Sequence, residues 1–156
     1  MAIIGIVAVD ENGAIGKNGS IPWHYSADVK FFKQQTIGHA CVMGYKTWLS
    51  LKKPLKERLN IVLSRKSEVE PQPNVIVLRD TLSILTLKKF LACDLFIIGG
   101  EQIYRSFLPH MDRWIVTQIP VAVEGADTFM PEGYLKNFSP YDSQQLEENL
   151  KVTFYE

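Results

Sequence analysis

The chain is poor in features that mark a metal, disulfide or membrane protein. Only two cysteines, Cys41 and Cys93, occur in 156 residues. Both lie in apolar surroundings without metal-ligand spacing, so they read as buried, reduced thiols of a cytoplasmic protein. The three histidines, His24, His39 and His110, are scattered along the sequence, and no metal is expected. No apolar run approaches the ~20 residues of a membrane span, and the chain opens on a strand-like segment instead of a basic-then-apolar signal. Nor is there an excess of either charge. Seventeen Lys and Arg balance seventeen Asp and Glu, which gives no reason to expect nucleic acid or a membrane surface as partner. The GxGxxG fingerprint is missing, so a standard dinucleotide fold is not expected. Repeats, linkers and low-complexity stretches are missing too, and 1–156 reads as a single domain.

What is present begins with IGKNGSIPWHYSADVKFFK, residues 15–33. It passes from a glycine-rich loop through Pro22-Trp23 into a helix. Ser26 is placed as the N-cap, with Ala27 and Asp28 opening the first turn. At helical spacing Asp28 shares a face with Phe31 and Phe32, while Lys30 and Lys33 point to water. Two readings stay open: Asp28 complements the helix dipole, or it is a sequestered acid awaiting a planar, hydrogen-bonding ligand.

Around this stretch, apolar runs alternate with helical patterns. Strands are expected at Ile3–Val9, 39–44, Leu59–Ser64, 74–78, Asp94–Ile98 and Arg113–Ile119, with weaker candidates near Phe138–Asp142 and Leu150–Tyr155. Short helices are expected near Tyr45–Leu51, Thr81–Phe90 and 101–108. Such alternation predicts an α/β fold: a central mixed, mostly parallel, twisted sheet of about eight strands with flanking helices. The late strands would form an antiparallel C-terminal edge.

Three strand ends suit anions. Gly44 precedes the amides of Lys46, Thr47 and Trp48 and the Thr47 hydroxyl; Ser64-Arg65-Lys66 follows a strand; Gly99-Gly100 separates a strand from the helix at Glu101. Each can equally be a tight turn or a solvated surface. Carboxyl ends of parallel strands are where such sheets bind ligands, and a ligand with a pyrophosphate and a separate phosphate, such as NADP, would account for all three.

In family order, the segments IVAVDENGAIGKNGSIPWHYSADVKFFK, VMGYKTWLSL, KPLKERLNIVLSR, FIIGGEQIYRSFLP and EGADTFMP resemble dihydrofolate reductase. The likeness is weak only across residues 67–92 and the last twenty or so. It implies NADPH as cofactor, dihydrofolate and antifolate inhibitors as partners, and a monomer. The resemblance makes Asp28 the acid that anchors the pterin through N3 and the 2-amino group, and Trp23 the holder of an ordered water. Tyr104 would approach the nicotinamide. Ile6, Val7, Ala8, Val29, Phe32, Leu51, Leu55 and Ile98 would wall the substrate and nicotinamide pocket, and Thr117 would support Asp28. Arg58 would pair with the glutamate tail of folate; a surface ion pair is the alternative.

For the cofactor, the resemblance implies contacts from Ala8 and Ile15, and from Gly16, Asn18, Ser20 and Ile21 in the loop, Gly16 to Ile21, that closes over it. Gly44, Tyr45, Lys46 and Thr47 would meet the pyrophosphate, and Leu63, Ser64 and Arg65 the 2′-phosphate. Gly99 and Gly100, joined by a cis peptide, would lie against the ring with Glu101, Gln102 and Ile103. Gly125–Thr128 would pack on the closing loop. Tyr45 departs from a common basic residue, Tyr25-Ser26 from a common Leu-Pro, and Ala126 lengthens the distal loop by one. The rivals are a same-fold reductase of a ribosylated pyrimidine in riboflavin synthesis and a pterin-binding protein without turnover.

Overall fold

Ile3–Val9 (β1) is apolar on both faces and takes the middle of the molecule. In the computed structural model, which describes residues 1–156, it pairs in parallel with Leu95–Gly99 (β6) on one side and Arg113–Gln118 (β7) on the other. Ala40–Gly44 (β3), Leu59–Leu63 (β4) and Val75–Leu78 (β5) continue the parallel run beyond β6. Lys151–Tyr155 (β10) pairs antiparallel with β7 and with Pro140–Gln145 (β9). The eight-stranded order is β5-β4-β3-β6-β1-β7-β10-β9, which is the mixed sheet and antiparallel edge expected from the alternation.

Alternation along β1 divides the core between the two faces of the sheet. Ile3, Val7 and Val9 face one layer with Ile97, Phe107 and Trp114, covered by helices Thr81–Lys88 (α3) and Glu101–Phe107 (α4). Ile4 and Ile6 face the other with Phe31, Cys41 and Phe96, covered by Ser26–Thr36 (α1) and Tyr45–Ser50 (α2). Each fully buried large side chain contributes about 1.5–3 kcal/mol. Gly5 lets the layers close: a Cβ there would stand 2.4 Å from the Trp114 ring, so any side chain would displace the indole.

Several boundaries differ from expectation. Ser26 is the first helical residue of α1, not its cap. Tyr25 occupies the cap position and no side chain of the entering segment bonds the first turn. The need is met from far away, since Ala27 N–H donates to Glu148 Oε1 at 2.8 Å. α3 is capped locally, by Asp80 accepting from Ser83 N–H. Pro109 does not stop α4 abruptly but sits in a 3₁₀ turn, Leu108–His110. A two-stranded ribbon of Ala14–Gly16 (β2) and Thr128–Phe129 (β8) adds to the expected strands. Both are too short to carry a period-2 pattern. No helix is long and apolar enough to cross a membrane.

Candidate functional site

The carboxyl ends of β1, β3, β4 and β6 meet along one rim of the sheet, because β6 is inserted between β1 and β3. On the α1 side of this rim stands Asp28. It is half-buried, no group of the chain hydrogen-bonds it, and desolvation holds its carboxyl above the ordinary carboxylate value. Phe32, Leu51, Leu55 and Ile98 all pack on the same face as Ile6. Val29 stays 57% exposed at the helix surface. Ala8 and Thr117 are partners across β1 and β7 on this face, and Thr117 is buried, but no direct hydrogen bond joins it to Asp28. Val7 departs from expectation. Its side chain enters the opposite core layer, so only its backbone can face the rim.

Arg58 is not a surface ion pair. It is 8% exposed, with Nε donating to Lys56 O and NH1 to Thr36 Oγ1, and its guanidinium lies 5.9 Å from the Phe32 ring centroid. No carboxylate of the chain neutralises it. Leu55 and Arg58 owe their placement to Asn60, buried on β4. The Asn60 Oδ1 accepts from Leu55 N–H, and its Nδ2 donates to Leu55 O and Arg58 O. A sequence signal for it exists: a lone amide inside an otherwise apolar strand.

The residues singled out for a dinucleotide are divided between the two faces, with Ala8 and α2 on the α1 side and α4 on the other. Ile15, Leu63 and Ile103 pack against the other core layer. Gly99–Gly100 is a cis peptide, and Gly99 has φ +119°. A Cβ on Gly100 would lie 3.9 Å from Thr47 Oγ1, in otherwise open space, whereas one on Gly44 would be 3.0 Å from Ile103. Gly100 therefore leaves a slot beside Thr47, where the N-termini of α2 and α4 come together. Neither helix has a side-chain cap, so amides of Lys46 and Thr47, and of Glu101, Gln102 and Ile103, are free to meet oxygen anions.

Tyr104 does not offer its proton to the slot. Its hydroxyl donates to Ile6 O at 2.8 Å, and burial, then Tyr134 and Asp28, push the phenol far above its ordinary value. It supports the Ile6 carbonyl and the Gly99 backbone as a wall. Trp23 is half-buried at the entry to α1. Tyr45 packs on the α1 face instead of presenting a charge. Past β4, Arg65 and Lys66 are exposed cations without partners, while Ser64 Oγ accepts from Ser67 N–H. Arg79, missed in the sequence, braces this turn by donating to Ser64 O and Ser67 O.

The loop bearing Gly16, Asn18, Ser20 and Ile21 is held by the 124–128 segment. Lys17 Nζ donates to Glu124 O, Asn18 N–H donates to Asp127 Oδ2, and Asp127 N–H donates to Gly16 O. Gly16 packs closely on this segment, since a Cβ would come within 3.2 Å of the Thr128 side chain. Ile21 is 67% exposed at the mouth of the loop.

A family model described as dihydrofolate reductase matches residues 2–156. The dihydrofolate reductase of Bacillus subtilis is 37% identical over 142 residues, covering 90% of this chain and 82% of the relative. That of Mycobacterium leprae is 39% identical over 125 residues, covering 76% and 73%. Among solved structures, dihydrofolate reductase from Enterococcus faecalis complexed with NADP(H) and RAB-propyl superposes with a TM-score of 0.88. It is 30% identical, with 99% of this chain and 95% of that one covered.

Proposed function

From the premise that the chain belongs to the dihydrofolate reductase family, we propose how its residues divide the work of this site. The enzyme reduces 7,8-dihydrofolate to 5,6,7,8-tetrahydrofolate with NADPH. The donor set fits that cofactor: two uncapped helix N-termini facing a slot that a Cβ on Gly100 would enter, and unpaired Arg65 and Lys66 beyond β4. When bound, NADPH supplies a hydride from C4 of its nicotinamide to C6 of the substrate.

Asp28 anchors the pterin by accepting from N3 and the 2-amino group, which gives its carboxylate the partners the chain withholds. Ile6, Val29, Phe32, Leu51, Leu55 and Ile98 enclose the ring and keep water out. Arg58, its guanidinium stiffened by Thr36 and Lys56, receives the glutamate carboxylate of the substrate. The proton for N5 travels through water admitted beside Trp23. Ala8, Ile15 and Tyr104 orient the nicotinamide. Lys46 and Thr47 hold the pyrophosphate, and Ser64 and Arg65 favour a 2′-phosphate over a free hydroxyl. Antifolates that present a protonated amidine edge bind against Asp28 for the same reason.

One observation carries this assignment: Asp28 is the acid of the rim drawn out of water with nothing in the chain to meet it. The test follows NADPH oxidation optically, with and without dihydrofolate, for the wild type and Asp28→Asn. The variant is expected to keep the fold and NADPH affinity and to lose about a hundredfold or more in kcat/KM at neutral pH. Near-full activity in the variant would end the anchoring role. Dihydrofolate-independent oxidation in the wild type would favour another substrate.

A further inference from the structure

Asp10 closes β1 and takes no part in the chemistry above, yet it is 1% exposed. Its Oδ1 accepts from Asn12 N–H and Ala14 N–H, and Oδ2 accepts from Val123 N–H, each at 2.8 Å. None of these amides donates to a carbonyl of the surrounding loops. Two belong to the segment that runs straight into Ile15 and Gly16, and the third comes from 113 residues away. Around the carboxylate, Glu11 N–H donates to Val121 O, Met130 N–H to Gly13 O, and Gln118 Nε2 to Asp10 O.

The closing loop and the distal loop are thus joined through the backbone of the β2–β8 ribbon and, at each of its ends, by an aspartate side chain. At the solvent tip the joint is Asp127, with Lys17 and Asn18, all open to water exchange. At the base the joint is Asp10, shielded from water. A buried carboxylate is costly unless fully bonded, and an apolar side chain would orphan three amides from two separate segments. The base joint is therefore the stiffer of the two, and it sets where Ala14, and so Ile15, can lie.

We infer that Asp10 is a positioning residue for hydride transfer: it pins the root of the closing loop to the 121–123 segment, so that the two loops move over the cofactor as one body. This rests on the reading of residues 15–21 as the cofactor-facing loop, and its test separates the two. In the full chain without ligands, amide hydrogen exchange is measured for the wild type and Asp10→Asn. Exchange at Asn12, Ala14 and Val123 is expected to quicken at least tenfold, with Ile97 and Val116 unchanged within about twofold. Single-turnover hydride transfer is then expected to slow about tenfold, the effect of one lost charge-assisted hydrogen bond, with dihydrofolate Kd within about twofold.

Unchanged exchange at Ala14 and Val123 would overturn the clasp. Faster exchange with unaltered hydride transfer would overturn the positioning role. If Asp10→Asn does not fold, Val123→Pro removes only the distal donor; exchange is then read at Asn12 and Ala14, and hydride transfer decides as before. A wild type that does not turn over dihydrofolate would defeat the assigned substrate while leaving the exchange result to judge the clasp.

Discussion

The segment from the end of β1 to the first turn of α1 begins and ends with an aspartate drawn from water, and the chain treats the two in opposite ways. For Asp10, burial pushes the acid upward, but bonds from Val123, Ala14 and Asn12 outweigh it and hold the carboxyl below the ordinary value. For Asp28, burial acts alone and the value rises. An acid supplied with donors by its own chain is a structural joint. An acid desolvated and left without them costs stability, and the cost is recovered only when a ligand brings the donors.

The sharpest break in this contrast is at the joint. Replacing Asp10 with Asn puts an NH₂ group against backbone N–H donors, and is expected to cost about 2–3 kcal/mol, read by urea unfolding. The pH dependence fixes the sign. A depressed folded value means the stability from Asp10 is present above about pH 4 and lost as pH falls through the folded value. Wild type and variant should therefore converge in stability in acid.

Asp28→Asn should move the other way by about 1 kcal/mol, making the protein more stable at neutral pH while disabling it. Here the folded value is raised. The wild type is on par with the variant below about pH 4 and falls behind as pH rises through the folded value of Asp28. Thermal melts from about pH 2 to about pH 8 test both slopes at once. Equal slopes for the two acids would erase the distinction between joint and anchor. The smallest effect concerns how Asp28 is presented. Glu148→Ala removes the only side chain bonding the first turn of α1, at a cost of about 0.5 kcal/mol because the contact is exposed. A rise in KM for dihydrofolate with kcat unchanged would show that the β9–β10 turn steadies the anchor.

Much of this arrangement is legible in the residues alone. Buried strands announce themselves as apolar runs such as IIGIVAV, and the glycines after β3 and β6 mark the slot. One resemblance implies both a substrate wall and cofactor contacts, and the fold gathers most of the first set on the α1 face while dividing the second between both faces of the sheet. Val7 illustrates the limit. Its neighbours Ile6 and Ala8 face the α1 side, and strand alternation alone turns its side chain to the other layer. Asp10 reads in the sequence only as turn chemistry, because two of its three partners are local and the third is remote. Arg79 and Glu148 carry no such signal, because what they bond, 12 or more residues away, is defined by packing and not by spacing.

By itself the sequence determined the long strands and the helices, though not their caps or the short β2–β8 ribbon, since period, turn residues and chain stiffness act over a few residues. Through its likeness to a family it also determined the chemistry of the rim. Only the tertiary structure decided which aspartate would be satisfied and which left wanting. That outcome depends on an amide brought from more than a hundred residues away to Asp10 and on none being brought to Asp28, and hydrogen bonds of that range exist only once β1, β6 and β7 have packed.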